Sequence, residues 1–120
     1  MKPYSRSDRV GGLIKQVLAE LLRKEISDPR LANTTITAVK LSRDLRIAKI
    51  YYAAEPDAEK RKAVEAGFAR ARGFVKRELA QRLELRYMPE LKFFYDDAID
   101  RGARIEQLIK MVKANDQADR

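Results

Sequence analysis

Arginine and lysine are the residues of this chain whose spacing points most directly to a chemistry. Between residues 60 and 92 there are ten basic and four acidic residues, so this segment supplies +6 of the formal net charge of +8. Guanidinium and ammonium groups donate charge-assisted hydrogen bonds to phosphate oxygens, and a strongly basic balance is typical of nucleic-acid binders. The sequence predicts a phosphate-binding surface here. Its candidate residues are Arg70, Ala71, Arg72, Gly73, Lys76 and Arg77.

Gly73 lies inside an alanine-rich segment of helical composition, where a glycine costs about 1 kcal/mol relative to alanine. At about 100° per residue, Phe74 falls outside the apolar stripe of this segment and Arg82 falls inside it. We therefore predict two helices that meet in a kink near residues 71–73. The first turn of the second helix would offer unpaired N–H groups to phosphate, and the small residues would let a nucleic-acid backbone approach. Alternatively, Ala71 and Gly73 only let the helices bend against the sheet.

Two further basic positions are candidates for RNA contact. Arg9 belongs to an N-terminal group with Lys2, Arg6 and Lys15, next to Tyr4. Lys49 lies beside Tyr51 and Tyr52 in a predicted strand, where the rings could stack on bases. Tyrosines in strands more often pack in a core or across strands, so a structural role stays open for them.

Hydrophobic periodicity predicts the elements that must position these residues. A first helix spans residues 7–26 and is capped by Ser5 or Ser7, strands span residues 34–41 and 45–54, and a third strand follows Pro89. The basic helical segment runs from about residue 57 to 85, and a last helix follows Asp96 to Asp100. In the second strand, Ile47, Lys49 and Tyr51 should point away from the helices. We expect an α+β domain over residues 1–112, and a frayed or disordered tail over 113–120.

Composition excludes several classes of protein. A chain of 120 residues without cysteine or histidine is one domain, and it lacks disulfides, thiolate metal sites and the commonest general base. The acidic group Asp96, Asp97 and Asp100 is expected to cap a helix, since no catalytic partner accompanies it. We expect no enzyme activity, no metal and no cofactor. No apolar run is long enough to span a membrane, which predicts a cytoplasmic protein without a membrane partner.

Several motifs, in this order and spacing, resemble the bacterial ribosome-binding factor A family over nearly the whole chain, from about residue 7 to 112. They are DPR at residues 28–30, SRDL at 42–45 followed by Ala48, RGFVKREL at 72–79, LRYMPELKFFYDD at 85–97, and Gly102. The resemblance implies a type II KH-like fold of helix-strand-strand-helix-helix-strand order, with an extra C-terminal helix. It further implies that an Ala-x-Gly kink, here Ala71-Arg72-Gly73, replaces the usual GxxG loop.

The resemblance also implies a non-catalytic assembly factor. Such a factor binds the free small ribosomal subunit or its precursor, assists late maturation and 5′-end processing of the small-subunit ribosomal RNA, and supports growth in the cold. Release by a ribosome-associated GTPase is a family expectation, and we expect a monomer. The alternative is a generic KH-like module for single-stranded nucleic acid, although KH domains use the GxxG loop that this chain lacks. A protein-interaction or membrane-surface module is a third class, and a magnesium-dependent nuclease that uses Asp96 and Asp97 is a fourth.

Overall fold

A computed structural model describes residues 5–118, and the side chains of residues 5–98, 102 and 105–114. The elements follow the order α1, β1, β2, α2, β3, α3, with a 3₁₀ turn between α1 and β1. This architecture confirms the α+β class. The bounds are α1 Arg6–Lys24, the 3₁₀ turn Pro29–Leu31, β1 Thr35–Leu41, β2 Ile47–Ala53, α2 Ala58–Leu83, β3 Glu90–Tyr95 and α3 Ala98–Ala118.

The three strands form one sheet in the order β1-β2-β3, with β1 and β2 antiparallel and β2 and β3 parallel. Side chains alternate between the two faces of a strand. On β2, Ala48, Ile50 and Tyr52 are buried, whereas Lys49 is exposed. The predicted alternation of β2 is therefore confirmed, and one face of the sheet forms the inner wall of the core.

The core lies between this inner face and the helices α1 and α2. Phe68 of α2 is 1% exposed, and its ring stacks on Phe93 with centroids 4.4 Å apart. The same ring lies 4.9 Å from the ring of Tyr52. Burial of each such side chain stabilises the fold by about 1.5–3 kcal/mol. From α1 the core receives Ile14, Leu18 and Leu21.

α2 is one continuous helix of 26 residues, so the predicted division into two helices that meet near residues 71–73 is wrong. Phe74 is half-buried at the edge of the packed face, which is wider than the stripe assumed from the sequence. Arg82 fits the packed side because the C-terminal end of α1 and the residue that caps it offer carboxylates to it. Its guanidinium lies 2.8 Å from Glu25 and 3.8 Å from Glu20.

The glycines that neighbouring elements pack against closely are Gly67 and Gly11, and not Gly73. A Cβ atom at Gly67 would lie 3.0 Å from Leu31 Cγ and Cδ2, and one at Gly11 would lie 3.2 Å from the Val39 carbonyl oxygen. Gly73 is exposed, and the nearest atom to its added Cβ would be Arg77 Nη1 at 3.7 Å. The fold needs small residues where α2 meets the 3₁₀ turn and where α1 meets β1.

The Gly73→Ala variant is expected to be more stable than the unaltered protein by about 0.5–1 kcal/mol, because alanine favours a helix interior and the space is open. Gly67→Val should be less stable, since its side chain would overlap Leu31. Urea denaturation followed by circular dichroism measures both changes. A loss of stability in Gly73→Ala would show that α2 needs a glycine at this position after all.

α3 continues to Ala118, beyond the predicted boundary at residue 112, and residues 119–120 lie outside the described part of the chain. The division of the chain at residue 112 stays a prediction. Large apolar side chains of α3 are exposed, namely Ile105, Leu108, Ile109, Met111 and Val112. Within residues 5–118 no helix is long and apolar enough to cross a membrane.

Candidate nucleic-acid interface

The middle of α2 carries a run of positive charge that has no acidic residue in it. We call residues 66–77 the basic segment, which contains Arg70, Arg72, Lys76 and Arg77. None of these four cations forms an ion pair with a described residue, whereas Lys60 and Arg82 near the helix ends are paired with carboxylates. The basic segment therefore keeps its charge available for an external anion.

Helix geometry arranges the basic segment into an outer face and a flank. Arg70, Gly73 and Arg77 are spaced by three and four residues, so they share one exposed face. Arg72 and Lys76, four residues apart, lie along the neighbouring flank. Ala71 is half-buried and packs against the core. A flat strip at Gly73 is thus bordered by cations on both sides.

No helix begins at Gly73, so the predicted binding of phosphate by N–H groups of a new helix is wrong. Inside a continuous helix these N–H groups donate to carbonyl groups of the preceding turn. Contacts to an anion must come from the side chains of the basic segment. The small Gly73 leaves open space on this face, but it offers no backbone donor, and close approach of a nucleic-acid backbone there stays a prediction.

The DPR motif at residues 28–30 lies beside the basic segment, with Arg30 Cβ 3.5 Å from the position of a Cβ atom added at Gly67. Asp28 caps the 3₁₀ turn by accepting from the Arg30 backbone N–H at 2.9 Å, and it accepts from Arg30 Nη2 at 2.7 Å. Hydrogen bonds from the Arg30 side chain and then from its N–H lower the pKa of Asp28 from 3.8 to about 2, and the nearby charge of Arg70 makes a smaller contribution to this shift. Since Asp28 neutralises Arg30, the motif has a structural role.

The Asp28 carboxylate should make folding stability depend on acid pH. Its pKa is lower in the folded state than the ordinary 3.8, so its contribution is complete above that value and is lost as the pH falls toward about 2. Between pH 4 and pH 2, the free energy of unfolding should therefore fall less steeply in Asp28→Asn than in the unaltered protein. Urea denaturation across this range measures the two slopes, with Glu90→Gln as a control. Equal slopes in Asp28→Asn and the unaltered protein would contradict the assignment.

The predicted contact residues fall on three surfaces. The basic segment brings together Arg70, Arg72, Gly73, Lys76 and Arg77, whereas Arg9 is exposed on α1. Lys49 lies on the outer face of the sheet, opposite the face that α2 covers. From the N-terminal basic group, Lys2 and Tyr4 are outside the described residues.

A basic groove was missed by the sequence reasoning. It has a volume of about 620 Å³ and lies between the start of α1, the β1–β2 turn and the loop before β3. Arg6, Arg46 and Arg86 line it, together with Tyr87, whose side chain is 77% exposed. Most of its lining residues belong to the SRDL motif and to the start of the LRYMPELKFFYDD motif, so these two motifs could have indicated the groove from the sequence.

The acidic group at the start of α3 serves the fold. Asp96 accepts from the N–H of Ala98, the first residue of α3, at 3.0 Å, and from the Thr37 hydroxyl at 2.6 Å. These bonds agree with the predicted capping role, and the side chain of Asp100 lies outside the described residues. Among the described residues, no group of three or more potential metal ligands is present.

Comparison with known proteins identifies similar sequences and structures. A sequence model of the family "Ribosome-binding factor A" matches residues 6–109. The ribosome-binding factor A of Desulfatibacillum aliphaticivorans is 49% identical over 112 residues, which are 93% of this chain and 91% of that protein. The crystal structure of ribosome-binding factor A from Thermus thermophilus has a TM-score of 0.65 and 31% identity, and the match covers 76% of this chain and 97% of that chain.

A further structural match concerns a complex with the ribosome. It is a homology model of the Thermus thermophilus factor, fitted into a cryo-electron-microscopy map of that factor bound to the 30S subunit. It has a TM-score of 0.53 and 33% identity, and the match covers 71% of this chain and 93% of that chain.

Proposed function

The chain belongs to the ribosome-binding factor A family, and from this premise we propose that it binds the small ribosomal subunit through ribosomal RNA, with the basic segment of α2 as its main contact. A related factor has been fitted into a 30S complex, which supports the choice of partner. The observation that carries the proposal is the run of four cations in residues 66–77 that form no ion pair with a described residue, without an acidic residue among them. Phosphate is the partner that such a surface fits.

Recognition in this proposal depends on shape and phosphate positions. The basic segment lies on a helix held against the sheet by Phe68, Val75 and Leu79, which are at most 1% exposed. Cations fixed on a rigid helix can match phosphates of a folded RNA, since such RNA is recognised mostly by shape and backbone contacts. Arg77 and Arg70 would contact phosphates on either side of the strip at Gly73.

We assign the core to the type II KH-like folds, with one modification. The order α1-β1-β2-α2-β3 supports this assignment, and the sequence contains no GxxG. Because α2 is continuous, the position of the usual loop is occupied by helix. A loop that clamps single-stranded backbone nucleotides is therefore absent from residues 5–118, which disfavours the generic single-strand module as the main function.

The biological role that we propose is non-catalytic. The protein would bind a late precursor of the small subunit in the cytoplasm as a monomer, assist 5′-end processing of its ribosomal RNA, and support growth in the cold. Release from the mature subunit would be assisted by a ribosome-associated GTPase. Membership of the family supports this proposal, and the proposed steps require only that the protein bind and leave the subunit.

Co-sedimentation in a sucrose gradient tests the proposal. The protein should run with free small subunits or their precursors and be absent from translating ribosomes. If the four cations contact phosphates, the logarithm of the binding constant should fall with the logarithm of salt with a slope of about −3. Sedimentation with soluble material only, at low salt, would refute the proposal.

A competition experiment separates the alternative. A low concentration of the small subunit should be enough to displace the protein from an arbitrary single-stranded RNA. Equal affinity for the subunit and for arbitrary single strands would favour the generic KH-like module.

A further inference from the structure

The outer face of the sheet carries a row of three lysines. In the strand register Lys40 of β1 pairs with Lys49 of β2, and Lys49 pairs with Lys92 of β3. All three side chains are exposed, and none forms an ion pair with a described residue. Adjacent strands are about 4.8 Å apart, so the backbone positions of the three lysines span about 10 Å.

This row is unfavourable for the isolated fold. Like charges directly opposite each other in a sheet are destabilising. Lysine on an edge strand can protect a sheet against aggregation, but β2 is the central strand, so edge protection does not account for Lys49. An external anion that binds across the row would relieve the repulsion.

An aromatic pair lies in the next row of the same face. Tyr51 pairs with Phe94 in the strand register, and their ring centroids are 5.7 Å apart. Phe94 is 41% exposed, and Lys40 Nζ lies 5.6 Å from the centre of the Tyr51 ring. The aromatic row is about 7 Å from the lysine row, two residues along each strand. Tyr51 is half-buried, so Phe94 presents the more exposed ring of the pair. Aromatic rings beside cations form the combination that binds unpaired bases and their phosphates.

We propose that the outer face of the sheet, formed by Lys40, Lys49, Lys92, Tyr51 and Phe94, is a second binding surface that holds an unpaired segment of RNA. The inference rests on the proposed function, since the RNA would belong to the same particle that the basic segment contacts. Bases stack on Tyr51 and Phe94, and phosphates lie along the lysine row. Asp96 and Asp97 border a depression at the end of this face, beside Lys40, and they limit the surface on that side.

The basic segment and the outer face of the sheet would bind different parts of the RNA. α2 packs on the inner face of the sheet through Phe68 and Phe93, so the basic segment and the lysine row lie on opposite sides of the domain. One RNA helix cannot easily occupy both sides. The basic segment would hold folded RNA, whereas the sheet face would hold a strand that is unpaired in the immature subunit.

Binding of a labelled single-stranded decaadenylate, compared with an RNA duplex of equal length, tests the proposal by fluorescence anisotropy. Lys49→Glu should raise the thermal midpoint, because it places a carboxylate between two lysines, and it should weaken decaadenylate binding at least about tenfold. Phe94→Ser should weaken binding about tenfold as well. Arg43→Glu, which changes the charge equally in the β1–β2 turn, should bind like the unaltered protein within about twofold.

Unchanged binding in Lys49→Glu or in Phe94→Ser would overturn the proposal. Lys49-dependent binding to vesicles of phosphatidylcholine and phosphatidylserine, without binding to decaadenylate, would overturn it as well. Lys49→Gln provides the same test if Lys49→Glu does not fold. Failure of this surface is distinguishable from failure of the proposed function. If the unaltered protein co-sediments with the small subunit but decaadenylate binding is unchanged in both sheet variants, only the sheet surface is refuted. If the unaltered protein does not co-sediment with the small subunit, the proposed function is refuted.

Discussion

Replacing Arg72 and Lys76 together with glutamate is expected to weaken association with the small ribosomal subunit by at least about 100-fold, without loss of folding. A hydrogen bond to a charged group contributes about 1.5–3 kcal/mol, and each 1.4 kcal/mol corresponds to a tenfold change in affinity. Removing two such contacts therefore reaches about 100-fold before the repulsion of two new carboxylates is counted. Affinity is measured by co-sedimentation at a fixed salt concentration.

A matched control separates the contact from the change in net charge. Arg23 and Arg43 are exposed and form no ion pair with a described residue, so Arg23→Glu with Arg43→Glu changes the net charge by the same amount. This control should lose much less affinity than the α2 variant. The salt slope of the α2 variant should also be smaller, by about one for each lost phosphate contact. Equal losses in the two double variants would place the contact elsewhere on the protein.

Phe68→Ala is expected to lower the free energy of unfolding by about 3–5 kcal/mol. Phe68 is 1% exposed, and its ring contacts both Tyr52 and Phe93. Truncation leaves a cavity between α2 and the sheet, at the point where the basic segment is anchored. Such a loss is a large part of the stability of a domain of this size. Chemical denaturation measures it.

Phe74→Ala provides the comparison on the same helix. Its side chain is half-buried at the edge of α2, so the expected loss is about 1–2 kcal/mol. If instead Phe74→Ala cost as much as Phe68→Ala, Phe74 would have to belong to the centre of the core. The packing of α2 as one continuous helix would then be contradicted.

Periodicity was sufficient to predict α1, the strands and the two faces of β2. These elements have strong local signals, such as the cap at Ser5 and the alternation that buries Ile50 and exposes Lys49. The division of this segment into two helices was predicted wrongly, because the position of Arg82 was judged without its partners. Glu20 lies in α1 and Glu25 directly follows it, and both are more than fifty residues away in sequence, so local reasoning could not place them beside Arg82.

The candidate site was predictable in composition but only partly in arrangement. Local spacing correctly placed the cations of the basic segment together, because a helix fixes the relation between residues three and four apart. The row that joins Lys49 to Lys40 and Lys92 depends on strand register, which brings together residues distant in sequence. Gly67 was missed for the same reason, since its role is the contact with Leu31.

The most direct test uses the absence of cysteine from the chain. A single cysteine introduced as Ala69→Cys on the exposed part of the basic segment can carry an iron chelate that generates hydroxyl radicals, with Arg43→Cys as the reference position. In the complex with the small subunit, the radicals from residue 69 are expected to cleave the ribosomal RNA strongly at a few defined positions. The absence of cleavage from residue 69, with cleavage from residue 43 in the same complex, would contradict the assignment of the basic segment as the main RNA contact.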